Sequence, residues 1–383
     1  MLFSLFNKSL AFFDKNFLPK ELADPRRILL THCGSPADIV RSVPVLVALR
    51  HRFPYADIAW LVEENAAPLL LDHWAVNRFI IVRHDWFKHL SEVRRVRRRL
   101  RSFAPQVAVD PQNSFGSSLA TRLANAKYRI GFGGKQSRRF HNIRVETDET
   151  HLIEKNLQLL QPFGVFGSAI GFDMPEYEKD RLAAHNILQR KGLHGRFAAI
   201  HISAESPETR WHEEQFGLVA KYLLEQWNLP SLVLWSGFEQ ELRRAESAIH
   251  AAGGAALQAP WTTTAERRSL SKLATIFVGS DTTELQTAAA VGTQCVGLFG
   301  PTSAEENAPF GEGHRMVQTL PEEQRKRQRR SSLPEWMIAI QPEMVYEKCD
   351  EVLTKIASQQ PEVFPMQQPL PLPSALPAHK KAA

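Results

Sequence analysis

Short apolar runs alternate with longer amphipathic stretches along most of the 383-residue chain. The short runs have the length of buried strands, and the longer stretches repeat their apolar residues at helical spacing. The runs predict strands at Arg27–Thr31, Ile58–Val62, Arg78–Val82, Val107–Asp110, Phe197–Ile202, Ser231–Leu234, Thr275–Val278 and Cys295–Phe299. Because helical stretches separate these strands, the pattern predicts an α/β protein with parallel, doubly wound sheets.

Helical spacing predicts helices at about Ile39–Phe53, Lys88–Arg101, Glu178–Lys191, Glu213–Trp227 and Gln341–Ile356. Residues 1–25 also carry apolar residues at this spacing, namely Leu2, Phe6, Leu10, Phe13 and Phe17. This segment predicts an amphipathic helix that either packs on its own domain or lies in a membrane interface. A basic loop is predicted at Arg325–Arg330, and the Pro-rich tail over 358–383 is predicted to be disordered.

The composition, with 43% hydrophobic and 23% charged residues, is that of a soluble globular protein. The length predicts two domains with tails. No apolar run is long enough to span a bilayer, and the N-terminus lacks a signal-peptide pattern. Three scattered cysteines without metal-ligand spacing indicate a reduced, cytoplasmic protein. The net charge of +6 favours an anionic partner, which is a nucleic acid, an acidic membrane surface or a phosphorylated substrate.

Six arginines lie close together between Arg94 and Arg101 in one of the predicted helices. The apolar residues of this helix, Leu90, Val93, Val96 and Leu100, form a stripe at helical spacing. The pattern predicts either a solvated helix lying on the sheet or an anion-binding face.

The stretch from Leu273 to Pro301 predicts a βαβ unit. Its first strand ends in a polar turn at residues 279–283, and a helix of small residues opens directly from that turn. The free N–H groups of the first helical turn would point at any ligand outside the strand end, and an anion fits there. The alternative is that Asp281 or Thr282 only caps the helix.

Asp281 begins a run that reads D-T-x-x-x-x-x-A-A-A-x-G-x-x-x-x-x-L-F-G-P-T. This run resembles the nucleotide-sugar motif of the bacterial heptosyltransferases of glycosyltransferase family 9, which add heptose from ADP-heptose to the lipopolysaccharide core. Shorter segments extend the resemblance from about Arg27 to Lys355, in the family's order: Ala37-Asp38, D-x-Q from Asp110, S-x-L from Ser117, R-x-G-F from Arg129 and T-R-W-H from Thr209. The resemblance implies a GT-B fold, in which two Rossmann-like doubly wound domains face a central cleft.

The resemblance also implies a domain plan and an activity. The segments are an amphipathic helix (1–25), a Rossmann-like acceptor domain (26–165), a Rossmann-like nucleotide-sugar domain (166–340), a C-terminal helix (341–357) and a disordered tail (358–383). The implied reaction transfers a heptose or related sugar from an ADP-sugar to a lipid-linked acceptor of lipopolysaccharide-core type, with inversion. The expected partners are the ADP-sugar, the lipid-linked acceptor and an anionic membrane surface, without metal, cofactor or nucleic acid. Such an enzyme is cytoplasmic and peripheral to the inner face of the inner membrane.

Site residues follow from the matched positions. Asp38 falls on the family's aspartate and is the implied general base, unless it is the N-cap of the Ile39 helix. Arg210 replaces a lysine that meets the phosphate, unless it is a surface arginine. Glu241, or Glu239 in a shifted register, is the implied ribose contact, unless it caps a helix. The full set implied for nucleotide-sugar binding is Ser203, Arg210, Glu241, Asp281, Thr282, Thr283 and Gln286.

Several positions depart from the family's pattern. Thr283 replaces a glycine, Gln286 replaces a histidine, and Ala37 replaces the glycine before Asp38. Glycine lets a backbone approach a ligand closely, and a threonine obstructs that approach. A second hypothesis is therefore a catalytically silent GT-B protein that binds a nucleotide or a glycan. A third is a nucleic-acid binder built on the Arg94–Arg101 face, for which clustered aromatic residues are missing.

Overall fold

The computed structural model describes residues 24–134, 137–167, 171–319 and 335–359, together with Leu22. The described chain divides into two compact units between Pro175 and Glu176. The predicted boundary after residue 165 lies within the first unit. Nearly all of the predicted amphipathic helix at 1–25, the basic loop at Arg325–Arg330 and most of the 358–383 tail lie outside the described residues.

The first unit is built on a parallel sheet whose strand order is β3-β2-β1-β4-β5-β6. Its strands are β1 Arg27–Thr31, β2 Asp57–Glu63, β3 Arg78–Val82, β4 Val107–Asp110, β5 Tyr128–Phe132 and β6 Ile143–Val145. Its helices are α1 Pro36–Arg52, α2 Leu90–Phe103, α3 Phe115–Ala124, α4 Ser137–Phe140 and α5 Leu152–Gln158. The strands β1, β2 and β4 are almost entirely buried because helices of a doubly wound fold cover both faces of the sheet.

Helix α1 starts earlier than the apolar pattern predicts. Ser35 is its N-cap, since the Ser35 hydroxyl accepts a hydrogen bond from the Asp38 N–H at 3.2 Å, and Pro36 fills the first helical position. Proline is favoured there because its missing N–H would have no partner in the helix. The alternative that Asp38 is an N-cap at Ile39 is therefore wrong, because Asp38 lies inside the first turn.

Helix α2 exposes all six of its arginines to solvent. Its buried residues are Val96, Leu100 and Phe103, whereas Leu90 is 64% exposed. The apolar stripe thus starts one turn later than predicted, and the helix lies on the sheet with a continuous basic surface facing outward.

The second unit contains another parallel sheet, with the order β12-β11-β10-β7-β8-β9. Its strands are β7 Ala198–His201, β8 Ser231–Leu234, β9 Ala256–Gln258, β10 Ile276–Ser280, β11 Cys295–Phe299 and β12 Arg315–Gln318. Its helices are α6 Glu178–Arg190, α7 Glu213–Trp227, α8 Glu239–Ala251, α9 Thr264–Leu273, α10 Thr283–Ala290, α11 Ala304–Asn307, α12 Glu335–Ile338 and α13 Pro342–Gln359. None of the described helices has the length and apolarity needed to cross a bilayer.

Both sheets have the same topology. Counted from the first strand of its own unit, each sheet runs 3-2-1-4-5-6, the Rossmann order. The order reverses between β1 and β4 in the first unit and between β7 and β10 in the second, where Gly279 pairs with His201. The predicted α/β, doubly wound, GT-B-like architecture is confirmed. Ligands of such sheets bind outside the carboxyl ends of the strands at this reversal.

Candidate active site

The predicted nucleotide-sugar residues of the second unit gather at the strand reversal. Ser203 follows β7, and Asp281 and Thr282 follow β10, so all three lie at the carboxyl ends of adjacent strands. All three are buried. The Thr282 hydroxyl accepts a hydrogen bond from the Leu285 N–H at 3.4 Å, so Thr282 caps helix α10. The cap uses the Leu285 N–H, so it does not by itself exclude an anion at the first turn of the helix.

A carboxylate already lies on the first turn of α10. Glu205 Oε1 accepts hydrogen bonds from the Thr283 N–H at 3.3 Å and from the Thr283 hydroxyl at 3.0 Å. An anion is stabilised at a helix N-terminus by the unpaired N–H groups and the helix dipole. Glu205 belongs to no matched motif, so sequence reasoning missed it.

Beneath this helix start lies a buried histidine. His201, the last residue of β7, has its Nε2 atom 3.5 Å from the Ser236 hydroxyl and 3.9 Å from a Glu284 carboxylate oxygen. Glu284 also lies 3.3 Å from the guanidinium Nε of buried Arg267. Burial lowers the pKa of His201, and the charge of Glu284 opposes that shift. The ring is therefore neutral near pH 7. The sequence did not predict His201 as a site residue, because His201 belongs to an apolar strand and to no matched motif.

The turn after β8 presents polar and aromatic groups at the same edge. Glu241 Oε2 accepts a hydrogen bond from the Ser236 N–H at 2.8 Å, which orders this turn. Gly237 has a φ of +99°, and a β-carbon there would lie 2.5 Å from Trp261 Nε1. Only glycine permits both this backbone conformation and this close approach. Trp261 and Phe238 remain 63% and 72% exposed, so two aromatic rings face solvent at the strand ends.

Arg210 ends the short turn Pro207–Thr209 and is half-buried. Its Nε atom is buried and makes no hydrogen bond within the described part of the chain. The next residue, Trp211, is fully buried and donates from Nε1 to the Ile340 carbonyl at 2.9 Å. This anchor fixes where the Arg210 backbone lies.

Asp38, in the first unit, lies in the first turn of α1 directly after the β1 loop. One carboxylate oxygen accepts from the Ser35 hydroxyl at 2.8 Å, and the other accepts from Arg41 at 3.0 Å. The Asp38 side chain is 39% exposed, whereas that of Arg41 is 5% exposed. Each carboxylate oxygen has a further lone pair, so the exposed group still has the capacity to accept a proton.

His32, at the end of β1, is a second ionisable group beside Asp38. The Ser42 hydroxyl donates to the Asp38 carbonyl at 3.1 Å and lies 2.7 Å from His32 Nδ1. The Nε2 atom of His32 is buried and has no hydrogen-bond partner among the described residues. Burial lowers the pKa of His32, against the opposing charges of Asp38 and Asp110.

The β1 loop is held by the strand on the other side of the reversal. Gln112 Oε1 accepts from the Cys33 N–H at 2.8 Å, and Asp110 accepts from the Asn113 N–H at 2.9 Å. Asp110 is fully buried and also pairs with buried His141 at 3.1 Å. The D-x-Q segment therefore positions the loop that leads to Asp38.

The model of the family described as glycosyltransferase family 9 (heptosyltransferase) matches residues 93–337, which is more than half of the chain. The chain belongs to glycosyltransferase family 9. The matched range contains every predicted nucleotide-sugar residue, and Asp38 lies outside it.

Several relatives are similar to this family 9 chain. Lipopolysaccharide heptosyltransferase 1 of Pseudomonas aeruginosa is 25% identical over 313 residues, covering 74% of this chain and 81% of the relative. The solved structure of Escherichia coli ADP-heptose lipopolysaccharide heptosyltransferase II has a TM-score of 0.68 at 19% identity, covering 86% of this chain and 99% of that one. E. coli heptosyltransferase WaaC with ADP-2-deoxy-2-fluoro heptose has a TM-score of 0.65 at 19% identity, covering 85% of this chain and 99% of that one. The protein is a glycosyltransferase with the heptosyltransferase fold.

Two of the residues predicted to bind the nucleotide-sugar also form hydrogen bonds within this family 9 protein. Gln286 is buried and donates to the Asn307 carbonyl at 2.7 Å, which ties α10 to α11. Glu241 holds the turn after β8 through one oxygen. Ser203, Asp281, Thr282 and Thr283 lie together at the strand reversal of the second unit.

One group of side chains has the spacing of metal ligands, among the described residues. Atoms of His212, Glu213 and Glu214 lie within 4.8 Å of one another at the start of α7. Glu213 pairs with Arg244 at 3.2 Å, and Glu214 accepts from the Ser247 hydroxyl at 2.9 Å. Both carboxylates thus have protein partners.

Proposed function

We propose that this glycosyltransferase transfers a heptose or a related sugar from an ADP-sugar to a lipid-linked acceptor of lipopolysaccharide-core type, with inversion. The observation that carries the proposal is helix α10, which opens at the strand reversal immediately after Asp281 and Thr282. The relatives named for lipopolysaccharide heptose transfer support the donor and acceptor classes. The proposed domain roles follow, with the acceptor in the first unit and the nucleotide-sugar in the second.

The second unit offers a separate group for each part of an ADP-sugar. The N–H groups at the start of α10 suit the phosphate next to the sugar, and the Arg210 guanidinium suits a second pair of phosphate oxygens. Glu241 uses one carboxylate oxygen for Ser236 and retains the other for a ribose hydroxyl. The exposed rings of Trp261 and Phe238 suit stacking on adenine. The proposed site therefore covers base, ribose and diphosphate.

The proposed reaction is a single displacement at the anomeric carbon. The acceptor oxygen forms the new bond while the bond between the anomeric carbon and the phosphate oxygen breaks, and the electron pair leaves with ADP. The acceptor hydroxyl gives its proton to the Asp38 carboxylate. The negative charge that grows on the leaving phosphate is stabilised by the α10 N–H groups and by Arg210.

We expect the protein to bind ADP more tightly than AMP, because only ADP carries a phosphate that reaches the start of α10. A second charge-assisted contact is worth about 1.5–3 kcal/mol, so the difference in Kd should be about tenfold or more. Isothermal titration calorimetry with ADP, AMP and adenosine measures it. Equal affinity for ADP and AMP would contradict the placement of the diphosphate.

We also expect reversible binding to anionic bilayers through the exposed arginines of α2, with a contribution from the 1–25 segment. Each arginine near an anionic surface contributes about 1 kcal/mol, so binding should weaken steeply with salt. Co-sedimentation with vesicles of phosphatidylglycerol or phosphatidylcholine measures the effect, and a variant with Arg94, Arg97 and Arg98 replaced by glutamine is the comparison. Equal binding to both kinds of vesicle, or binding that persists in high salt, would contradict the expected electrostatic attachment to anionic bilayers.

A further inference from the structure

We propose that Glu205 is a built-in competitor for the phosphate of the donor and thereby sets how tightly this enzyme holds a nucleoside diphosphate. The proposal rests on the proposed function, which places the phosphate next to the sugar at the start of α10. Glu205 is thus a residue that determines specificity between ligands with and without that phosphate.

Glu205 and the phosphate need the same donors. The carboxylate of Glu205 accepts from the N–H and the hydroxyl of Thr283 at 3.3 and 3.0 Å. The Thr283 N–H is one of the helix N–H groups that have no partner within the helix, and these groups form the proposed phosphate site. One N–H group directs its hydrogen to one anion, and two anions at this distance repel each other. A bound phosphate therefore displaces Glu205.

Two buried hydroxyls lie at the strand ends that lead to Glu205 and to Thr283. Ser203 follows β7 and Ser280 ends β10, and the two side chains are 4% and 1% exposed. Neither hydroxyl has a hydrogen-bond partner among the described residues. Buried hydroxyls in native proteins are almost always hydrogen-bonded. Glu205 accepts hydrogen bonds from Thr283, so its contact leaves these two hydroxyls at the strand ends unsatisfied.

The competition acts on some ligands only. ADP must break the contact between Glu205 and Thr283 before its second phosphate reaches α10, whereas AMP and adenosine bind without breaking it. After sugar transfer, the returning carboxylate replaces the phosphate at Thr283 and favours release of ADP. Glu205 therefore weakens ADP binding and speeds ADP dissociation.

The test compares Glu205→Gln, Glu205→Ala and the wild type by calorimetry with ADP and AMP, and by stopped-flow dissociation of a fluorescent ADP analogue. Removing a charged competitor should tighten ADP binding about tenfold and slow its dissociation, with the affinity for AMP unchanged. Glu208→Gln is the matched control, because Glu208 is another exposed carboxylate of the same loop, and its hydrogen-bond partner is Ser206 rather than Thr283. The control should alter the ADP affinity by less than about twofold, since it leaves the contact between Glu205 and Thr283 intact and its own charge is screened by salt.

Each outcome decides the matter. Tighter ADP binding by both Glu205 variants, with AMP and the control unaffected, supports the proposal. An ADP affinity that is unchanged or weaker in both variants overturns it, because Glu205 is then a permanent cap or a ligand contact. Equal tightening by Glu208→Gln overturns it in favour of a general charge effect. If the wild type and both variants fail to bind ADP, the proposed function fails, and this inference fails with it.

Discussion

Replacing Asp38 with asparagine is expected to lower the rate of sugar transfer by about 10²–10⁴-fold, the usual contribution of a general base. Asparagine keeps an oxygen that can accept from Ser35 or Arg41, so the start of α1 should persist. It cannot take the proton of the acceptor hydroxyl. Stability and ADP affinity should therefore stay close to the wild-type values, and the loss should fall on kcat. Transfer assays with an ADP-sugar and a lipopolysaccharide-core acceptor measure the rate.

The matched control for this variant is Ser35→Ala. Ser35 caps α1 through the Asp38 N–H, and loss of such a cap costs about 1 kcal/mol of stability. This control should lose stability. It also removes the hydrogen bond from Ser35 to the Asp38 carboxylate but keeps that carboxylate, so its transfer rate should fall far less than that of the asparagine variant. An Asp38→Asn protein that keeps most of its rate would show that Asp38 is only a structural residue. His32, the ionisable side chain beside Asp38, would then be the next base to test.

Replacing Arg210 with alanine is expected to weaken ADP binding by about 1.5–3 kcal/mol, which corresponds to about 10–150-fold in Kd. The reason is the loss of a charge-assisted pair of hydrogen bonds to phosphate oxygens. Binding of adenosine should be unchanged, because adenosine has no phosphate. Calorimetry with both ligands separates the two effects.

Arg210→Lys is the conservative comparison for this position. Lysine keeps the charge of arginine but lacks its planar guanidinium. The lysine variant should therefore lose less ADP affinity than the alanine variant. Trp211 should hold the loop in place in both variants, because its indole remains hydrogen-bonded to the Ile340 carbonyl. If Arg210→Ala leaves the ADP affinity unchanged, Arg210 is a surface residue that does not bind the phosphate.

The sequence determined the two α/β halves and most of their inner strands. Val107–Asp110, Ser231–Leu234 and Cys295–Phe299 lie where the apolar pattern predicts them, because a strand buried on both faces consists mostly of apolar residues. The pattern also located the start of a helix at Asp281 and Thr282. It missed four strands nearer the sheet edges, which are short or contain charged residues and so lack a clear period: Tyr128–Phe132, Ile143–Val145, Ala256–Gln258 and Arg315–Gln318.

Tertiary structure alone decided which side chains meet at the site. Glu205 lies 78 residues before Thr283 in the sequence, and Gln286 lies 21 residues before Asn307. Hydrophobic periodicity reports which face of an element is buried, but these contacts depend on strand order and loop conformation. The matched motif implied that Gln286 is a ligand contact, and only the fold shows that its amide also donates to the Asn307 carbonyl. The sequence motifs also did not predict His32, His201 or Trp261 as site residues, because only the common edge of parallel strands brings these residues beside the matched ones.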